Sequence, residues 1–146
     1  MRVAVFGQPF WAKRLSENLI LYGNGSVQSA AVCLPRLTRR NIVDIKSADV
    51  LIRVGYRPGA ATLRGVAFDV FWSVIRAINR RARVFFFWIG TDVLDAMRDF
   101  KAKRGLGRLE RAKRHNHIAG APWLTEELAE IGIKARTTYF PGIRVQ

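Results

Sequence analysis

Arg83-Val-Phe-Phe-Phe-Trp88-Ile89-Gly90-Thr91-Asp92 is the stretch that decides the fold. Val84 to Trp88 are apolar without interruption, a run too short for a helix and lacking the alternation of a strand with one wet face. Such a strand is covered on both faces, as at the centre of a parallel sheet. Gly90 closes it, and a helix opens near Asp92, which is well placed to cap that helix.

Upstream, Thr62 can cap a long helix reaching about Arg81, apolar around most of its girth and therefore expected to be buried. Before it, Asp49-Val-Leu-Ile-Arg-Val54 reads as a third strand closed by Gly55-Tyr56-Arg57-Pro58-Gly59. Residues 38–48 make a short helix with Ile42 and Ile45 on one side, and residues 27–34 a second strand ended by Pro35. Residues 10–22 carry Trp11, Leu15, Leu19 and Tyr22 at helical spacing, after a first strand, Arg2-Val-Ala-Val-Phe6, that ends in Gly7-Gln8-Pro9. Downstream lie a basic segment (101–114), a weaker fifth strand (115–120), a helix from Pro122 to Ile131 ended by Gly132, and a sixth strand (136–140) broken by Pro141-Gly142. Strands joined by helical crossovers pair in parallel through right-handed units. The expected fold is α/β, a Rossmann-like open parallel sheet of about six strands with helices on both faces. The expected strand order is 3-2-1-4-5-6, with a switch point between strands one and four.

The chain has 146 residues, 49% of them hydrophobic, enough for one domain with its own core. It carries 25 Lys+Arg against 11 Asp+Glu, a formal net charge of +14, which calls for a polyanionic partner such as nucleic acid, an anionic membrane or a phosphorylated ligand. The basic residues cluster at Arg36, Arg39 and Arg40, at Arg76, Arg80, Arg81 and Arg83, and at Lys101, Lys103, Arg104, Arg108, Arg111, Lys113 and Arg114. With Phe100 beside the last cluster, an anionic bilayer is the expected surface. No nucleic-acid-binding motif is present, so nucleic acid is not the expected partner. The single cysteine, Cys33, reads as a small buried hydrophobe; it excludes an intramolecular disulfide framework and suits a reducing cytoplasm. The opening residues do not read as a secretory signal, and the most apolar stretch, residues 60–79, contains Arg64, Asp69 and Arg76, which argues against a bilayer span.

Ligands in such sheets bind beyond the carboxyl ends of the strands. The loops there supply the candidate cleft residues Gly7, Gln8, Tyr56, Arg57, Gly90, Thr91, Asp92 and Trp123, with Trp11 and Trp88 nearby. Aromatic faces beside polar donors and helix N-termini suit a carbohydrate or a phosphate, although glycines that merely turn the chain explain any one loop equally well. Asp92 reads either as a helix cap or as a hydrogen-bond acceptor for sugar hydroxyls, and Asp95 sits near the same positive helix end. Gln8, Pro9 and Phe10 stand where a G-x-G-x-x-G fingerprint needs glycine, and neither a P-loop nor a G-x-S-x-G motif occurs. His115 and His117 form an H-x-H whose rings would share one face of a strand, but no further ligand stands at metal spacing, so no metal site is expected.

Three segments resemble the N-terminal domain of GT-B glycosyltransferases related to glycosyltransferase family 4. Phe87-Trp88-Ile89-Gly90-Thr91-Asp92-Val93 is similar to that family's W-x-G-[ST]-D-V segment. Ile118-Ala119-Gly120-Ala121-Pro122-Trp123-Leu124-Thr125-Glu126-Glu127-Leu128, with Gly132-Ile133, resembles its V-S-x-x-L-x-x-E-L and L-G-[IV] segments. Tyr139-Phe140-Pro141-Gly142-Ile143 resembles the I-P-N-G-V that leads into the second domain. Ile89 stands where many relatives have histidine, Gly142 replaces the usual Asn and Gly120 the usual Ser, so no role passes from those side chains.

The resemblance implies that residues 1–141 form the acceptor-side domain and 142–146 the start of a linker to a missing C-terminal donor domain. It implies transfer of a sugar from a nucleotide sugar to a lipid-linked or polysaccharide acceptor, as in polysaccharide biosynthesis, with no cofactor in this domain and no essential metal. The present residues alone are then expected to be inactive, cytoplasmic and peripheral on the inner face of the membrane. Arg36, Arg39, Arg40, Arg80, Arg81, Lys101, Lys103, Arg104, Arg108 and Arg111 are the expected contacts to anionic headgroups. The alternative is a stand-alone basic module of Rossmann-like shape, recruited to nucleic acid or membrane.

Overall fold

The computed structural model describes residues 1–33, 36–59 and 62–138. Its elements run β1 (Arg2–Gly7), α1 (Pro9–Tyr22), β2 (Gln28–Cys33), α2 (Arg39–Ser47), β3 (Val50–Val54), α3 (Leu63–Ile78), β4 (Arg83–Trp88), α4 (Thr91–Lys101), α5 (Leu106–Ala112), β5 (Asn116–Ala119), α6 (Pro122–Glu130) and β6 (Ala135–Thr137). The six strands form one open sheet, parallel throughout, in the order β2-β1-β3-β4-β5-β6. The α/β class, the parallel sheet and the flanking helices agree with the sequence.

The strand order does not. β3 lies directly against β1, so the switch point falls between strands one and three, not one and four. Burial explains the exchange. β3 is buried at all five positions, whereas β2 (Gln-Ser-Ala-Ala-Val-Cys) is buried at one, Val32, and takes the edge. Cys33, at the end of that edge strand, is half-buried rather than enclosed.

Because side chains alternate along each strand, the sheet builds two cores. Val3, Val5, Val50, Ile52, Val54 and Phe87 face α1 through Ala12 and Leu15. Ala4, Phe6, Leu51, Val84, Phe86 and Trp88 face the other way, against Ile45 of α2, Trp72 and Ile75 of α3, Val93 and Ala96 of α4, Leu109 of α5 and Leu128 of α6. Right-handed crossovers require this asymmetry: only the step from β1 to β2 runs toward the β2 edge, so only α1 lies on its face.

α3 also departs from expectation. Thr62 caps it, accepting from the Gly65 amide at 3.1 Å, but only Trp72 and Ile75 are buried. Leu63 is 91% exposed, and Val66, Val70 and Val74 also face outward. An apolar girth is filled only if elements surround it, and α3 is a single outer layer over the sheet. The basic segment 101–114 contains the short helix α5, which had not been expected. β6 is confined to Ala135–Thr137, and the Tyr139–Ile143 motif and the linker lie outside the described residues.

Two buried polar side chains lock the layers together. Nδ2 of Asn79 donates to the carbonyls of Ile45 and Ala48, both at 2.8 Å, while Oδ1 accepts from the amides of Arg81 and Ala82. His117 lies between Trp88 and the backbone of α5. His115 is exposed and precedes the strand, although both imidazoles pack against Phe86, with ring centroids 5.5 and 5.3 Å away. Among the described residues no His, Cys, Asp and Glu side chains cluster as a metal site.

Candidate functional site

After β1 the chain passes to one face of the sheet and after β3 to the other, so a crevice opens between these exits, as at any topological switch point. Gly7 lets the two strand ends approach: a Cβ there would stand 2.9 Å from the Val54 carbonyl oxygen. The crevice is a cleft of about 250 Å³. Gln8 and Trp11 line it from the β1 side, Arg53, Gly55 and Arg57 from β3 and its loop, Thr62, Arg64, Gly65 and Phe68 from the start of α3, and Ile89, Thr91, Asp92 and Asp95 from the end of β4 and α4.

Of the candidate residues, Gln8, Arg57, Thr91 and Asp92 therefore meet at one cleft. Gly7, Gly90, Tyr56 and Trp123 are not among its lining residues. Tyr56 is buried beneath it, edge-on to Phe86 and Trp88, and donates its hydroxyl to the Arg108 carbonyl at 3.3 Å. Burial pushes that phenol above its ordinary pKa. Trp123 is 64% exposed on α6. Trp88 is fully buried in the core.

Asp92 is not the N-cap of α4. Gly90 holds that position at φ 131°, a conformation that glycine alone adopts freely, and Asp92 is the second helical residue. From there its Oδ1 accepts from the preceding amides of Ile89 (3.0 Å) and Gly90 (2.8 Å) and from the following amide of Val93 (3.0 Å). The positive end of α4 thus already holds the chain's own carboxylate. Burial pushes the Asp92 carboxyl up to about 6, and the three amide contacts act in the opposite sense. Asp95, one turn further on, is about one-third exposed and lies 3.7 Å from Arg57 and 3.6 Å from Arg98.

The arginines divide by occupancy. Arg57 grips the fully buried Asp99 with a two-pronged contact, Nε to Oδ2 at 2.9 Å and Nη2 to Oδ1 at 3.2 Å. Asp99 also attracts Arg104, and Asp69 pairs with both Arg53 and Arg108. Arg108 is thus committed within the fold, whereas Arg104, despite its 3.8 Å approach to Asp99, is exposed like Arg36, Arg39, Arg40, Arg80, Arg81, Lys101, Lys103 and Arg111. Arg53 is 4% exposed, stacks over Tyr56 at 4.8 Å and has an Nε without a hydrogen-bond partner. Burial lowers its guanidinium to about 10. Arg64 rests near the Phe68 ring, 6.0 Å from its centroid, and forms no ion pair among the described residues.

Arg53, Thr62, Arg64 and Phe68 escaped the sequence reading of the site. Arg53 carried a signal, since it is the only charge in an otherwise apolar strand and a buried charge needs a partner. Arg64 carried none.

No protein-family model matches the chain, and no curated protein matches it either. The fold defines the class: an open, all-parallel α/β domain of Rossmann-like architecture with a basic-rimmed cleft at its switch point.

Proposed function

We propose that the chain is the acceptor-binding domain of a sugar transferase, working with a second domain that supplies the nucleotide-sugar donor. One observation carries the reading. The cleft places hydrogen-bonding side chains for hydroxyls (Gln8, Thr91, Asp95) beside two aromatic rings (Trp11, Phe68) and three arginines. Aromatic faces with flanking carboxylate and amide groups suit a sugar ring, and arginines suit the phosphate of a lipid-linked acceptor. The likeness of residues 87–93 and 118–133 to the GT-B segments supports the same reading, because the first of these segments forms one wall of the cleft. The exposed basic clusters would bring the domain to an anionic membrane where such acceptors reside. No helix among the described residues is long and apolar enough to cross one.

Calorimetric titration tests the proposal. A water-soluble glycosyl diphosphate carrying a short lipid should bind, nucleotide sugars should bind far more weakly, and the chain alone should show no turnover. Nucleotide-sugar binding without acceptor binding would contradict it.

A second reading, a stand-alone basic binding module, draws on the exposed apolar stripe of α3 beside the basic clusters. Full activity toward polyanionic surfaces with no glycan binding would favour it.

A further inference from the structure

Three helix N-termini border the cleft and they are not equivalent: that of α1 opens with Pro9, which has no N–H to offer. That of α4 is filled by Asp92, whose carboxylate takes the amides of Ile89, Gly90 and Val93. Among the described residues that of α3 holds no carboxylate and its Arg64 forms no ion pair: Thr62 satisfies the Gly65 amide, and Arg64 follows as the second helical residue. α3 has 16 residues, so its amide dipoles add to a substantial positive end.

A second observation points to the same place. Arg53 is more than nine-tenths buried and lines the cleft, with Nη2 committed to Asp69 at 2.7 Å and Nε unpartnered. Asp69 is shared with Arg108, so two guanidiniums face one carboxylate and a positive charge is left over. A buried cation that shares its one carboxylate with a second guanidinium is costly unless an anion supplies the balance.

From these two observations we propose that the cleft contains an anion subsite, formed by Arg53, Arg64 and the first amides of α3, that takes the phosphate group of a phosphate ester. Arginine matches phosphate with paired N–H donors, and a helix N-terminus adds backbone N–H groups at the same point. Asp92 occupies the α4 end, Pro9 removes a donor from the α1 end, and Arg64 stands in the first turn of α3, which together direct the phosphate toward α3 and leave Thr91 and Asp95 for the rest of the ligand. This subsite stands on the cleft geometry alone and goes beyond the transferase reading. Within that reading it receives the acceptor's phosphate.

The test uses the whole chain, nitrogen-15 labelled, titrated with inorganic phosphate at constant ionic strength against a chloride control. Saturable shifts at the amides of Leu63, Arg64 and Gly65 are expected. Arg64→Gln should weaken phosphate binding about tenfold, since a charge-assisted hydrogen bond is worth about that factor. Arg2→Gln, at the opposite end of β1 from the cleft, should leave it unchanged. Arg64 is exposed, so its variant should retain the wild-type melting temperature and keep the comparison clean. Non-saturable shifts, or equal effects of Arg64→Gln and Arg2→Gln, would overturn the subsite. A glycosyl phosphate, a nucleoside diphosphate and glycerophosphate, run as separate arms, identify the ester by which one binds more tightly than inorganic phosphate. Phosphate binding without glycan binding would keep the subsite and remove the transferase reading; glycan binding that Arg64→Gln leaves untouched would do the reverse.

Discussion

Trp88 donates its indole N–H to Nδ1 of His117 across 3.1 Å, and Nε2 of the same ring, 2.8 Å from the Ala112 carbonyl oxygen, then carries the imidazole proton. The pair ties the central strand to β5 and α5 with both ring nitrogens used. A second proton on Nδ1 would face the indole N–H, and burial together with His115 already holds His117 below the ordinary 6.5. The unfolded chain therefore takes up that proton first, and stability should fall as pH drops below about 6.5. His117→Phe should flatten this part of the pH profile at a cost of about 2 kcal/mol, because the indole N–H loses its partner. Thermal melts of both proteins between pH 5 and 8, taken here as rough limits around the histidine range, check it.

Asp92 gives the opposite slope. Its folded-state value of about 6 lies above the ordinary 3.8, so its contribution is greatest below 3.8 and is lost as pH rises through 6. Asp92→Asn keeps an acceptor for the three amides without the charge. It should therefore gain stability relative to the natural chain as the pH is raised across that window. Asp92→Ala removes the same titration and the acceptor as well, so it should lie about 2 kcal/mol below Asp92→Asn at every pH, since buried amides lose their acceptor. Denaturant melts at pH 4 and pH 7, roughly on either side of the window, distinguish the two.

Asn79 is the joint between α2 and the loop after α3. Asn79→Ala should destabilise the fold by about 2–3 kcal/mol, because two carbonyls and two amides in a closed setting lose their partners together. Asn79→Asp should be worse than Ala, since it points a carboxylate oxygen at the carbonyls of Ile45 and Ala48. Equal stability of the Ala and natural proteins would contradict the assigned network.

Membrane attraction should depend on salt. The clusters around Arg39 and Arg80 are exposed, so binding to anionic vesicles should fall steeply as salt rises toward physiological strength. Replacing Arg80 and Arg81 together by Glu should reduce binding several-fold. Vesicle sedimentation reads the effect, and equal binding to neutral vesicles would contradict it.

The central strand was legible because five consecutive apolar residues, Val84 to Trp88, admit few other readings. The glycine loops were legible too, and Gln8, Arg57, Thr91 and Asp92 do meet at the cleft. Strand order was not, because it depends on which side of β1 the chain returns, and the clue lay in the relative burial of two short strands. Gln28 and Ser29 mark β2 as an edge, whereas Val50 to Val54 has only Arg53 to interrupt it. The exposed valines of α3 were misread for a related reason: local periodicity does not reveal how many neighbours a helix will have. Arg53 and Arg64 join the cleft only because α3 is laid across the end of β3, a tertiary fact that no local spacing encodes.

The account rests on the cleft between β1, β3 and β4 being where ligand binds. Chemical-shift mapping with a water-soluble glycosyl diphosphate tests that most directly. Shifts should centre on the amides of Gln8, Arg57, Arg64 and Thr91 and saturate together. Shifts centred instead on Arg39, Arg40 and Arg80, with the cleft amides unmoved, would contradict it.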